Sequence, residues 1–140
     1  MSKEFDTPLV PVSWGELIDK ITILEIKLQN IASESARKNI KLELALLNTL
    51  VSQHIGLVEL IQPQKEALSS VNSDLWRVED DIREKERKKE FDSVFIELAR
   101  SVYRLNDLRA TIKREINSTL LSKIVEEKSY KPYQSNASHK

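Results

Sequence analysis

Cysteine is absent from the chain, and with it go disulfide staples, thiolate metal sites and thiol redox chemistry. Glycine is almost as scarce, with Gly15 and Gly56 the only two in 140 residues. All-β folds need glycine at many turns, so this scarcity points to helices. An excess of one charge is missing too. Basic and acidic side chains balance at 22 each, which leaves no bulk basic field to draw the chain onto phosphate backbones. No uncharged apolar run approaches the roughly 20 residues that span a bilayer. The polar start, Met1 to Asp6, has no apolar run behind it of the kind a signal peptide carries. The expectation is a cytoplasmic protein with no membrane and no nucleic-acid partner. Two widely separated histidines, His54 and His139, leave metal chemistry to carboxylates, and the consecutive Glu79, Asp80 and Asp81 splay around a helix. No metal and no cofactor are expected. Ser-His-Asp constellations, Gly-rich phosphate loops and zinc spacings are likewise absent.

What the chain does have is helical periodicity. The spacing predicts an all-α bundle of four long amphipathic helices at about 13–32, 35–60, 64–90 and 92–121. An extended lead-in over 1–12 precedes a single helical-bundle domain over 13–133, and 134–140 reads as a disordered tail. Pro8 and Pro11 spell P-x-x-P, read here as a rigid lead-in to the first helix. Ser13 and Glu16 have capping-box spacing, with Val12 and Leu17 placed as a hydrophobic staple. Leu17, Ile21, Leu24, Leu28 and Ile31 line one face of helix 1, while Ile23 and Ile26 point the other way. A helix apolar on two faces is buried on two faces, so helix 1 is either central or covered by a second subunit. Helix 2 carries Ile40, Leu44, Leu47, Val51, Ile55 and Val58, with Pro63 its latest possible end and Gly56 an earlier one. His54 falls on that stripe and reads as a core residue. Helix 3 runs from Leu68 through Val71, Leu75, Val78 and Ile82 into mixed charges from Arg83 to Glu90, a solvated end laced with ion pairs. Asp92 caps helix 4, whose stripe extends from Val94 to Leu120.

The informative residues are polar ones at apolar positions. Arg109 projects into the middle of the helix 4 stripe, flanked by Asn106 and Lys113. Glu25 projects inside the apolar sector of helix 1, and Asn72, Trp76, Glu79 and Arg83 share the shoulder of helix 3. An unpaired buried charge costs several kcal/mol, so Glu25 or Glu79 is expected to face Arg109. Such a layer either sets helix register or forms a small anionic-ligand pocket; failing both, Arg109 is simply exposed at an oligomer edge. The candidate residues for both readings are Glu25, Trp76, Glu79, Arg83, Asn106, Arg109 and Lys113.

Four stretches carry a resemblance: Pro11 to Lys27 (PVSWGELIDKITILEIK), Leu75 to Arg83 (LWRVEDDIR), Val102 to Arg109 (VYRLNDLR) extending to Lys113, and Glu126 to Tyr130 (EEKSY). Together they resemble a bacterial family of short all-helical proteins known only as a domain of unknown function. The resemblance implies an ordered segment around Glu126–Tyr130 that returns against the bundle. The first stretch also resembles segments of proteins associated with glycosyltransferases and tetratricopeptide repeats, which implies a surface-polysaccharide context. The leading functional expectation is a non-catalytic interaction module, a homodimer with a possible protein partner. The alternative is a small helical enzyme, or a protein binding a sugar nucleotide or dicarboxylate between helices. Helical chorismate mutases draw an arginine from their first helix, where this chain has only Lys20 and Lys27. Helical pyrophosphatases need paired carboxylate motifs, of which Glu16-x-x-Asp19 is the single convincing instance.

Overall fold

The computed structural model describes residues 3–133. Four helices follow in order: α1 Trp14–Asn30, α2 Glu34–Ser52, α3 Leu57–Lys88 and α4 Ser93–Thr119. No strand occurs among the described residues, so the chain is an all-α four-helix protein. At the helical rise α3 is about 48 Å long and α4 about 40 Å, and the two pack against each other along a long hairpin. Helix α1 touches all three others. Both its apolar faces are therefore used within one chain: Ile18, Ile21, Leu24 and Ile26 are all buried. Of the two alternatives for α1, the central position is the one observed.

Helix ends follow local chemistry. The Ser13 hydroxyl accepts from the Glu16 N–H at 3.1 Å and starts α1. Only half of the capping box forms, because the Glu16 carboxylate turns instead to Lys113. Ser33 caps α2 in the same way. Arg37, in the first turn of α2, donates to the carbonyls of Leu28 and Ile31, satisfying acceptors that the end of α1 leaves bare. Asp92 accepts from the Phe95 N–H at 3.0 Å and also takes the Lys85 ammonium. The charged end of α3 is solvent-facing and held by ion pairs between near neighbours, including Arg87 with Glu84 and Lys88 with Glu84.

The boundary between the second and third helices differs from the expectation of 35–60 and 64–90. Helix α2 stops at Ser52, and Gly56 takes a left-handed φ of 82° between the two helices. Helix α3 then starts at Leu57 and carries Pro63 inside it. An internal proline forfeits one backbone hydrogen bond, at a cost of roughly 3 kcal/mol. Burial of Leu57 and the fully enclosed Ile61 on the preceding turns offsets that cost. The break moves two residues from their expected places. Ile55 stands wholly in solvent, and His54 is an exposed turn residue whose ring meets Trp14 edge-on at 5.0 Å, not a core histidine.

The core joins Leu17, Ile18 and Ile21 of α1 to Val51 of α2, Leu57, Ile61, Leu68 and Val71 of α3, and Ile112 and Ile116 of α4. Beyond α4 the chain has no regular structure but runs back along that helix, with Glu126 bonded to Lys113 and the Tyr133 ring 5.0 Å from Tyr103. The tail expectation for 134–140, including the sequon-like Asn136-Ala137-Ser138, lies outside the described residues.

Candidate functional site

The polar centre of the bundle is built on Asp19. Its carboxylate is 1% exposed and sits on the α1 face that also carries Ile23 and Ile26. A buried carboxylate must be fully hydrogen-bonded, and here α3 and α4 supply its donors. Arg109 of α4 donates from both Nε, at 2.9 Å, and Nη2. Asn72 of α3 donates Nδ2 to Asp19 Oδ1 at 3.0 Å, and the same group lies 3.0 Å from the Thr22 hydroxyl. Thr22 in turn donates to the Asp19 carbonyl at 2.7 Å. The hydrogen bonds to Asp19 raise the Arg109 pKa further above its ordinary value, against the opposing effect of burial.

A second cluster lies one turn further along α4. Lys113 Nζ donates to Glu16 at 2.6 Å and to Glu126 at 3.0 Å, and approaches Asp19 Oδ2 to 3.9 Å. Burial works against the Lys113 charge, but the bonds to Glu16 and Glu126 outweigh it and the pKa is raised. The bond from Lys113 holds the Glu126 carboxyl below its ordinary range. Next along, Asn117 accepts from the Gly15 N–H at 2.7 Å, and the Ser122 hydroxyl accepts from the Trp14 N–H at 3.3 Å. Gly15 has no room for a side chain: a Cβ there would run into the Lys113 carbonyl oxygen. The start of α1 is therefore sewn backbone-first onto α4.

The expected partner of Arg109 is corrected by this geometry. Glu25 pairs with Lys65 at 3.6 Å, on the side of α1 away from Arg109, and Glu79 pairs with Arg83 one turn along its own helix at 3.7 Å. Asp19 takes the guanidinium instead because it projects from the second apolar face of α1, which packs towards α3 and α4. Trp76, Glu79, Arg83, Asn106 and Arg109 come together in one open groove of about 460 Å³, with Lys27 and Asn72 also in its walls. Glu25 and Lys113 do not line it. Sequence reasoning named Asp19 only within the Glu16-x-x-Asp19 pair and missed its bond to Arg109, Asn72's bond to it, Asn117 and Ser122. The signal for Asp19 was weak, since it shares its side of α1 with Glu16 and Asn30 as well as with Ile23 and Ile26.

A different surface feature lies on α2. Leu42, Leu46 and Leu50 repeat every four residues along its outer side, and they are 65%, 57% and 47% exposed. Only Ile40 and Val51 of this helix are fully buried. Among the described residues, no group of three or more His, Asp or Glu side chains is placed to hold a metal ion. No helix of the structure is long and apolar enough to cross a membrane.

Fold and site together define a small all-α bundle, organised around a buried carboxylate shared by three helices, with an adjoining charged groove. The chain belongs to a family described as "Family of unknown function (DUF6165)", which it matches over residues 9–140. No match is found among curated proteins or among solved structures.

Proposed function

We propose that this protein is a non-catalytic helical interaction module that works as a homodimer paired through α2. The observation that carries the reading is the uncovered row Leu42, Leu46 and Leu50. A helix with apolar residues on two sides needs two covers, and α1 covers only one side of α2. The row is symmetric about Leu46, so two copies related by a two-fold axis match it with itself, Leu42 against the partner's Leu50. Lys38 extends the same row at the start of α2, and the last turn of α2 carries no basic residue. Antiparallel pairing therefore sets Lys38 beside the negative end of the partner helix.

The finer role, as an accessory of cell-surface polysaccharide synthesis, is supported by the resemblance of residues 11–27 alone. Sedimentation tests the pairing. The full chain should run as a dimer at high micromolar concentration, and Leu46→Glu, which sets two carboxylates face to face on the axis, should run as a monomer with unchanged helical content. A strictly monomeric full chain at that concentration would refute the reading.

A further inference from the structure

The groove between α1, α3 and α4 is separate from the leucine row of α2, and its chemistry is that of a ligand site. We propose that it binds a small phosphorylated compound bearing a hydroxylated sugar ring, of the sugar-phosphate or nucleotide class. Its volume of about 460 Å³ lies within the range of small-molecule sites.

Arg109 is the fixed point. Its Nε and Nη2 are committed to Asp19, which is buried and itself held by Asn72, so the guanidinium cannot swing. The remaining Nη1 has only a long 3.4 Å contact to Asn106, and both residues line the groove. A donor immobilised in advance spares the ordering cost of binding. Lys27 adds an ammonium from the last turn of α1. Arg83 adds a guanidinium from α3 whose pairing with Glu79, at 3.7 Å and 80% exposed, competes weakly with a ligand. Three cations from three helices suit a tetrahedral phosphate, whose oxygens accept from several directions at once.

The other wall selects what the phosphate is attached to. Trp76 is half-buried and shows part of its ring to the groove, a surface for a flat or ring-shaped partner. Glu79 and Asp80 are acceptors only. A dicarboxylate would set like charges against them, whereas ring hydroxyls give them donors. With Asp19 counted, the groove's charges cancel, so recognition rests on directed hydrogen bonds and stacking more than on attraction of any anion.

Titration calorimetry on the full chain tests this with uridine 5′-monophosphate, ribose 5-phosphate and inorganic phosphate as probes. At least one ring-bearing probe should bind saturably and at least about tenfold more tightly than phosphate, since only a ring can lie on Trp76 and offer hydroxyls to Glu79 and Asp80. Which of the two binds more tightly separates a nucleotide from a sugar phosphate. The double variant Lys27→Gln/Arg83→Gln removes two cations whose loss the fold tolerates. It should keep the melting temperature and bind the same probe at least about tenfold more weakly. Absence of binding by both ring-bearing probes, phosphate binding as tightly as they do, or a double variant that binds like the parent would each overturn the proposal. None of these results depends on whether α2 pairs two copies.

Discussion

Asp19 and Arg109 form a pair in which each residue makes the other tolerable. Arg109→Met alone leaves a fully buried carboxylate with Asn72 as its remaining side-chain donor. Breaking a buried pair from one side costs about 3–5 kcal/mol, whereas replacing both members with apolar groups can be neutral or stabilising. Urea unfolding should therefore show a loss of about that size for Arg109→Met, most of it recovered in Asp19→Leu/Arg109→Met. If the single variant is as stable as the parent, the buried pair is not the organising contact. Arg109 was legible in the sequence because a cation in the middle of an apolar stripe is conspicuous. Its partner was not, because Asp19 lies near several polar neighbours in sequence, and periodicity ranks faces without saying which face meets which helix.

Helices α1 and α4 meet so closely at Gly15 that its missing Cβ is part of the contact. Gly15→Ala forces the backbones apart and should weaken the Asn117 bond to the Gly15 N–H, costing about 1–3 kcal/mol as overpacking does. A drop in melting temperature with unchanged helical content is the expected result, and an unchanged melting temperature would contradict the close approach. Gly56 serves differently, since nothing crowds its Cβ position and its positive φ is what matters. Helix stripes, the Ser13 and Asp92 caps and the solvated end of α3 could all be read locally, because each depends on residues within a turn or two. The α2–α3 boundary could not. Pro63 is a strong local stop, and only the burial of Leu57 and Ile61 against the rest of the bundle carries the helix through it.

At the scale of the whole molecule, the C-terminal segment is tied to the bundle by a charge pair, and that makes its docking pH-dependent. The Glu126 pKa is lowered from its ordinary 4.5 by Lys113. The stabilisation is thus complete above that value and is lost as pH falls through the lowered one. Lys113, whose pKa is raised, keeps its own contribution at all lower pH and loses it only in strong alkali. The Tyr103–Tyr133 ring contact, followed by NMR, should be present at neutral pH and lost as pH falls below the ordinary carboxylate range, before the helices melt. Glu126→Gln should release the segment at neutral pH as well, and an unchanged Tyr103–Tyr133 ring contact in that variant would count against the tie. The order of amino acids by itself determined that this chain forms four helices with apolar stripes and places a cation in the last of them. It could do so because helical period, caps and breakers act over neighbouring residues. Only the tertiary structure decided that α1 is central, that Asp19 is the shared carboxylate, and that residues from three helices meet in one groove. Those outcomes depend on how the stripes pair in space, a global choice made by packing volume and by the need to satisfy every buried charge.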